Sequence, residues 1–216
     1  MNKVVVFDLD DTLYKEIDFL KSAYHAIATY VAGDVDSKLV FDKMMTWYIQ
    51  NENVFQQVIS NFSQKEDVTH LLGIYRNHFP DISLSSDIEM VLENLYQVAT
   101  LGIITDGRSV SQRNKIEALG LGRYFCNDNI LISEETGYSK PSEQPFRFFM
   151  DKYPGSDYFY VGDNTEKDFI APNRLGWSTI CLKDNGKNIH KQHFDQPTDK
   201  SPQQIVKSLS EIGNYL

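Results

Sequence analysis

The sequence has few cysteines, no long apolar run and fewer basic than acidic side chains, and each shortage excludes a class of protein. Cys126 and Cys181 are far apart in the sequence and form no metal-type pair, so a reducing compartment is expected rather than a disulfide scaffold. Apolar runs such as Val4–Phe7 are too short to span a bilayer. With 21 Lys and Arg against 30 Asp and Glu, the formal net charge is −9, which argues against a nucleic-acid partner. An anionic substrate remains possible if a metal ion or local lysines offset this charge.

The N-terminus lacks the features of a secretory signal. It enters an apolar, strand-like run directly, without a basic segment followed by a long hydrophobic one, so we expect a cytoplasmic protein. At 216 residues, folding should bury roughly 72% of the surface of the extended chain, enough for one full core and a smaller satellite.

Most of the chain alternates between strand and helix patterns. Apolar, β-branched runs predict the strands, and apolar residues at helical spacing predict the helices. The predicted strands are Lys3–Phe7, Ala99–Thr105, Asn129–Ile132, Tyr158–Val161 and Ser178–Leu182. The predicted helices are Asp87–Gln97, Ser109–Leu119, Gln144–Tyr153 and Lys167–Leu175. This alternation predicts an α/β fold with a doubly wound, Rossmann-like parallel sheet, and a ligand site at the carboxyl ends of the strands.

Two segments depart from the alternation. Residues 15–78 carry four successive helical patterns and no strand, which predicts a helical bundle inserted into a core formed by residues 1–14 and 79–216. The insert leaves the core beside the predicted site, where it would act as a lid. At the other end, Ser201-Pro202-Gln203-Gln204 has the pattern of a helix start and predicts a final helix to about Tyr215, after a loop over Lys183–Lys200.

Acidic side chains follow the first predicted strand. Asp8, Asp10 and Asp11 lie within four residues, and such crowded carboxylates cost stability unless a cation or a proton joins them. Oxygen ligands of this kind suit Mg²⁺, which takes one or two carboxylates together with substrate phosphate. A solvated acidic turn is the alternative interpretation.

Three further motifs stand near the ends of later strands. Thr105-Asp106-Gly107 offers a hydroxyl and backbone amides to a phosphate, or is an ordinary helix entry. Lys140 offers a point charge that can pair with a phosphate and a carboxylate together, or is a surface lysine. Asp163 is placed to bind the metal, and Asp168 to cap a helix or hold the lysine.

The four motifs in this order resemble those of the haloacid dehalogenase-like (HAD) hydrolase superfamily, over about Lys3–Leu182. The family pattern Asp-x-Asp-x-Thr is present as Asp8-Leu9-Asp10-Asp11-Thr12, its Thr/Ser as Thr105 and its Lys as Lys140. Its Gly-Asp-x-x-x-x-Asp pattern runs from Gly162 to Asp168. The resemblance implies that the helical insert is the type-one cap of subfamily I.

The resemblance also implies a mechanism. Asp8 would attack phosphorus and form an aspartyl-phosphate, and Asp10 would exchange protons with the leaving alcohol and the attacking water. Mg²⁺ would bind to Asp8, the Asp10 carbonyl and Asp163. Thr105, Lys140 and the amides of Leu9 and Gly107 would contact the phosphoryl oxygens. Thr12 and Asp168 would support this machinery.

Asp10 favours a phosphatase, because family dehalogenases lack an acid at this position and the transport ATPases replace it with threonine. A phosphomutase, or a catalytically silent binding protein on the same fold, remains an alternative. A small phosphorylated metabolite such as a sugar phosphate, phosphoglycolate or a nucleotide is the expected substrate. Asp106 and Arg108 are further candidates for substrate contact; the alternative for Arg108 is an exposed first-turn arginine.

Overall fold

The computed structural model describes residues 2–63 and 65–216, so Met1 of the predicted core and Gln64 of the predicted insert lie outside it. Six strands form one sheet: β1 Lys3–Phe7, β2 Thr100–Thr105, β3 Ile130–Ile132, β4 Asp157–Gly162, β5 Ser178–Leu182 and β6 Gln204–Val206. The α-helices are α1 Glu16–Ile49, α2 Val54–Phe62, α3 Val68–Asn77, α4 Ser86–Tyr96, α5 Ser109–Ala118, α6 Ser133–Thr136, α7 Gln144–Lys152 and α8 Ile170–Arg174. In the described part of the chain, no helix is both long and apolar enough for a membrane crossing.

The sheet confirms the predicted fold class. Every neighbouring pair of strands is parallel, and the spatial order is β3-β2-β1-β4-β5-β6. The chain moves outward from β1 in one direction and then returns to continue on its other side, as in a doubly wound sheet. The loops after β1 and β4 therefore meet at the point where the strand order reverses, which is where such sheets bind ligands.

The two faces of the sheet have separate cores because side chains alternate along each strand. Val5 and Phe7 of β1 pack on one face with Ile103 and the apolar residues of α4 and α5. Val4 and Val6 point the other way, toward the large side chains of α7 and the segment after α8. Trp177 is fully buried there, stacked on Tyr158. Strands that are apolar on both faces follow from this two-sided burial.

The inserted segment differs from the four helices predicted for it. The first two helical patterns belong to one continuous helix, α1, which spans 34 residues, and α2 and α3 complete the segment. No proline lies between the two patterns, so the sequence holds no strong signal that would end the helix there. These helices share a third core cluster, which includes Ile27, Met44 and Val58.

The C-terminal helix predicted to start at Ser201 is wrong. Residues Gln204–Val206 pair with β5 as an edge strand, and a 3₁₀ helix follows at Leu209–Asn214. The capping box is Ser208 with Glu211, seven residues later than the predicted start. As an edge strand, this segment satisfies its backbone hydrogen bonds by pairing with β5. It therefore does not form the helix that its local sequence pattern predicts. The predicted loop over 183–200 has no helix or strand.

Two smaller differences lie near the site. Helix α8 begins at Ile170 rather than Lys167, because the preceding turn is held by the Asp168 carboxylate, which accepts hydrogen bonds from the amides of Asp163 and Asn164. The four-residue helix α6 was not predicted. The remaining core strands and helices agree with the prediction to within two residues at each end.

Candidate active site

Most of the predicted site residues meet at the carboxyl edge of the sheet, where β1, β2 and β4 end. A small polar cavity of about 80 Å³ opens there. It is lined by Asp8, Asp10, Asp11, Glu16, Thr105, Asp106, Asp163, Asn164, Lys167 and His190. Acidic side chains dominate this lining, so the cavity would repel an anion unless cations enter or lie close by.

Lys140 is the buried cation at the centre of this edge. Its Nζ lies 2.8 Å from Asp8 Oδ1 and 2.9 Å from Asp168 Oδ1, and it donates to the Tyr160 hydroxyl at 3.0 Å. Burial alone would lower the pKa of Lys140, but the carboxylates of Asp168 and Asp8 raise it well above its usual range. Lys140 is therefore a permanently charged group that joins two carboxylates, and the surface-lysine alternative is wrong.

The carboxyl groups of Asp8 and Asp163 are buried, and their pKa values are raised. Burial raises the pKa of Asp8 to about 7 in spite of Lys140. Burial, together with the charges of Asp8 and Asp168, raises the pKa of Asp163 to about 9. The Asp163 carboxylate accepts hydrogen bonds from Asn188 Nδ2 at 2.7 Å and Thr12 Oγ1 at 3.4 Å. A cation bound between these two carboxyl groups would favour their ionised forms and lower both pKa values.

A divalent cation fits between these carboxylates. Oxygens of Asp8, Asp163 and Asp168 lie within 4.8 Å of one another. Asp168 is already engaged, since one oxygen accepts two backbone amides and the other pairs with Lys140. Asp8 and Asp163 are therefore the pair best placed to hold the ion, and hard oxygen ligands of this kind suit Mg²⁺.

The Asp10 carboxylate is separated from the Lys140 group and has its own partners. Lys115 Nζ lies 2.7 Å from Oδ1, which also accepts the Tyr14 hydroxyl, and Gln112 Nε2 donates to Oδ2 at 2.9 Å. Burial would raise the pKa of Asp10, but the Lys115 charge and these hydrogen bonds outweigh it and lower the pKa. Asp8 and Asp10 therefore occupy different electrostatic environments although they are two residues apart.

The residues after β2 divide into two groups. The Thr105 hydroxyl is buried at the cavity and accepts a hydrogen bond from Gln112 Nε2 at 2.6 Å. Asp106 also lines the cavity, but its carboxylate accepts from the Lys140 amide at 3.0 Å and pairs with Lys167 at 2.7 Å. It therefore helps to hold the Lys140 loop in place.

Three other predicted contacts differ from expectation or involve only the backbone. The Gly107 amide donates to Ser133 Oγ at 2.9 Å, so it is not free for a phosphate in this conformation. Arg108 is exposed and lies 3.6 Å from Glu134, away from the acidic cavity, in agreement with the first-turn alternative. The Leu9 side chain is fully buried, which leaves its backbone as the part that could reach a ligand.

Several residues of the site escaped the sequence analysis. Gln112 and Lys115 are three residues apart on α5 and share a face with Ile116, and a lysine on such a core-facing stripe was a usable signal. Tyr160 continues the apolar alternation of β4, so its hydroxyl gave no signal. Asn188 lies in the loop 183–200, where no local pattern points to the site.

The fold and the site together define an α/β enzyme with a carboxylate and lysine centre at the switch point of a parallel sheet. A sequence profile described as haloacid dehalogenase-like hydrolase matches residues 5–182. The chain belongs to this family of hydrolases.

Similar proteins support the same assignment. The chain is 27% identical to a glyceraldehyde 3-phosphate phosphatase of Methanocaldococcus jannaschii, over 98% of this chain and 99% of the relative. It is 35% identical to the pyrimidine 5'-nucleotidase YjjG of Escherichia coli, over 55% of this chain and 50% of that protein. The crystal structure of the putative HAD-hydrolase YfnB from Bacillus subtilis, bound to magnesium, superposes with a TM-score of 0.69 at 19% identity. That match covers 100% of this chain and 98% of YfnB, and it supports the fold.

Proposed function

We propose that the protein is a Mg²⁺-dependent phosphomonoester hydrolase that acts on a small phosphorylated metabolite through an aspartyl-phosphate intermediate. Two of the named relatives hydrolyse phosphomonoesters, as a glyceraldehyde 3-phosphate phosphatase and a pyrimidine 5'-nucleotidase, which supports a phosphatase as the enzyme class. The observation that carries the mechanism is the position of Asp8. Its carboxylate lies 2.8 Å from the buried Lys140 ammonium, beside Asp163 at the mouth of a small polar cavity.

In the first half of the reaction, an Asp8 carboxylate oxygen attacks phosphorus as the bond to the leaving oxygen breaks. Lys115 keeps the Asp10 carboxyl ionised in the free protein, so Asp10 first takes up a proton from solvent or from a monoanionic phosphomonoester. It then gives this proton to the leaving oxygen, and the product leaves as a neutral alcohol. Lys140 and Thr105 hold phosphoryl oxygens while charge develops on them. Mg²⁺, held by Asp8, the Asp10 carbonyl and Asp163, supplies further charge neutralisation when bound.

In the second half, water attacks phosphorus of the phosphorylated Asp8. Asp10, deprotonated in the first half, accepts a proton from this water, which returns Asp10 to its protonated form and frees the Asp8 carboxylate. Inorganic phosphate is released. Each proton given up by Asp10 is thus regained, and no external acid or base is consumed.

The charge of the cavity supports a requirement for a cation. Six acidic side chains line it, and among the described lining residues Lys167 is the one lysine or arginine. Lys140 and Lys115 lie close by but are paired with Asp8, Asp168 and Asp10. A phosphomonoester is itself anionic, so a divalent cation is needed to make its approach favourable.

The substrate class follows from the cavity and the relatives. A small, polar cavity suits a compact metabolite, and a relative that matches 98% of this chain is a glyceraldehyde 3-phosphate phosphatase. We therefore place small sugar phosphates first. Pyrimidine nucleotides come second because the resemblance to the nucleotidase YjjG covers about half of either chain.

We further propose that residues 15–78 are a cap domain that selects the substrate. A separate core of their own, with Leu20, Ile27 and Leu71 fully or almost fully buried, supports this division. Glu16, in the first turn of α1, contributes to the cavity lining. Residues 1–14 and 79–216 then form the catalytic core.

The test is a hydrolysis screen with the full-length protein after treatment with EDTA. Release of inorganic phosphate is measured with added Mg²⁺, with added Ca²⁺ and without metal. The substrates are glyceraldehyde 3-phosphate, other sugar phosphates, phosphoglycolate, pyrimidine nucleotides and 4-nitrophenyl phosphate. We expect hydrolysis with Mg²⁺, little with Ca²⁺ because its coordination is larger and looser, and none without metal.

Other outcomes identify the alternatives. Interconversion of sugar phosphate isomers without phosphate release, dependent on a phosphorylated activator, would identify a phosphomutase. Binding of Mg²⁺ without turnover of any phosphoester would identify a silent binding protein. Full activity in EDTA would contradict the metal assignment.

A further inference from the structure

The Asp10 carboxylate receives hydrogen bonds from three side chains that belong to two parts of the chain. Tyr14 comes from the loop after β1, and Gln112 and Lys115 come from α5. Tyr14 and Lys115 both donate to Oδ1, whereas Gln112 donates to Oδ2. All three donors are buried. Such a number of directed contacts fixes the plane of the carboxylate as well as its position.

Lys115 is committed to this contact. Its side chain is only 5% exposed, and in residues 2–63 and 65–216 its ion pair is with Asp10 alone. On its other side the ammonium lies 4.3 Å from the centre of the Phe19 ring of α1, which provides a favourable cation–π contact and no competing acceptor. Burying a lysine is costly unless it is paired, so this arrangement is a built feature of the fold.

The geometry leaves one acceptor direction of the carboxylate open. An ionised carboxylate has about four lone-pair sites, two on each oxygen. Tyr14 and Lys115 use both sites of Oδ1, and Gln112 uses one site of Oδ2. The remaining site is on Oδ2. Asp10 lines the acidic cavity, so this site on Oδ2 can accept a proton from water and, once protonated, can donate it to a substrate oxygen.

Gln112 also connects this carboxylate to the phosphate contacts. The same Nε2 that donates to Asp10 lies 2.6 Å from the Thr105 hydroxyl, at the end of β2. The side chain therefore fixes Asp10 relative to Thr105.

We propose that Lys115, Gln112 and Tyr14 are positioning residues that hold Asp10 so that it exchanges protons with the leaving oxygen and with water through Oδ2. The inference rests on the proposed general acid–base role of Asp10. Asp10 gives one proton as the bond from phosphorus to the leaving oxygen breaks, and it regains one from the water that attacks phosphorus of phosphorylated Asp8. The donors contribute no proton to the reaction.

The test uses leaving groups that differ in their need for an acid. An alkyl phosphate releases a strongly basic alkoxide and needs the proton, whereas 4-nitrophenyl phosphate releases a stable phenolate and does not. We compare kcat/KM, because it reports the steps up to loss of the leaving group and excludes later hydrolysis of the phosphorylated enzyme. For Lys115→Met, kcat/KM for the alkyl phosphate should fall by about 10²-fold or more, the scale of general acid catalysis. The value for the aryl phosphate should fall far less.

Two reference variants separate the possible outcomes. Asp10→Asn should show the same selective loss as Lys115→Met. If Asp10→Asn loses activity equally on both substrates, the general acid role fails, and the positioning role fails with it. If Asp10→Asn is selective but Lys115→Met is not, the general acid role stands and the positioning inference is overturned. Arg113→Met removes a neighbouring charge on α5 that pairs with Glu135 at 2.6 Å, and it should leave both values unchanged.

The double variant excludes a merely structural effect. If Lys115 acts through Asp10, Lys115→Met in the Asp10→Asn background should cause little further loss on the alkyl phosphate. A second full loss would show that Lys115 supports the fold in general, and would overturn the inference. If Lys115→Met does not fold, Tyr14→Phe removes one hydroxyl from the same oxygen and should give the same selectivity on a smaller scale. Equal losses on both substrates with Tyr14→Phe would then refute the proposal.

Discussion

Replacement of Lys140 by methionine tests the charge balance at the centre of the site. Lys140 Nζ contacts Asp8 and Asp168 at 2.8 and 2.9 Å, and its side chain is fully buried. Methionine keeps the apolar stem and removes the ammonium. Two neighbouring buried carboxylates then lose their shared cation, which is the situation in which removal of one partner is strongly destabilising.

The size of the destabilisation depends on the interactions that Asp8 and Asp168 retain in the variant. Breaking a buried ion pair in this way costs about 3–5 kcal/mol. Asp168 retains hydrogen bonds from two backbone amides, at 3.1 and 2.9 Å. Asp8 can relieve its charge by taking up a proton, because its pKa is already about 7 with Lys140 present. The loss should therefore be near 3 kcal/mol at neutral pH, or roughly 6–12 °C in Tm for a protein of this size.

The assay is equilibrium urea denaturation in EDTA, at several pH values, with Lys167→Met as a matched control. Lys167 also pairs with an aspartate at 2.7 Å, but its side chain is 33% exposed, so its removal should cost no more than about 1 kcal/mol. The destabilisation by Lys140→Met should grow as the pH rises above 7, because Asp8 then ionises beside Lys140 in the wild type, whereas in the variant the loss of that charge raises the pKa of Asp8 further. Similar losses for the two variants, or a loss for Lys140→Met that does not depend on pH, would refute this electrostatic reasoning.

Two other measurements probe the same cluster. In EDTA, the free energy of unfolding should fall as the pH rises from about 5 to 9. The pKa values of Asp8, Glu16 and Asp163 in the folded protein are raised to about 7, 8 and 9. In this pH range the folded state therefore keeps protons that the unfolded chain has released. Saturating Mg²⁺ should flatten this decline, and stability that rises with pH in EDTA would contradict the assignment. Gly162→Ala would place a Cβ atom 2.4 Å from Asp168 Oδ2, so we expect a lower Tm and a lower kcat. Unchanged values of both would show that the Asp168 carboxylate can move without consequence.

Most of the fold was predictable because the hydrophobic pattern changes period along the chain. The strand Lys3–Phe7 and its neighbours are apolar on both faces, which only a covered parallel sheet requires. The C-terminal prediction failed at Ser201 because its capping signal is local, whereas the pairing of Gln204–Val206 with β5 is a long-range contact that no local pattern encodes.

The candidate site was predictable where chemistry-bearing residues directly follow a strand. Asp8, Thr105 and Asp163 are of this kind, because the topology alone brings their positions together. The Gly107 amide illustrates the limit, since its partner Ser133 comes from α6, which the sequence pattern did not predict. Lys115 lies on the core-facing stripe of α5, which marks it as unusual in the sequence, but its contact with Asp10 depends on how α5 packs and so required the three-dimensional structure.

Covalent participation of Asp8 is tested most directly by trapping the phosphorylated enzyme. The Mg²⁺-loaded protein is mixed with a turnover substrate, quenched in acid within the first turnover, digested and analysed by mass spectrometry. We expect a phosphoryl group on the peptide that contains Asp8, at the Asp8 carboxylate and labile to hydroxylamine. No such peptide should form with Asp8→Asn, which should also lack turnover. Hydrolysis by Asp8→Asn, or wild-type turnover with no phosphorylated Asp8 at any quench time, would contradict the proposed mechanism.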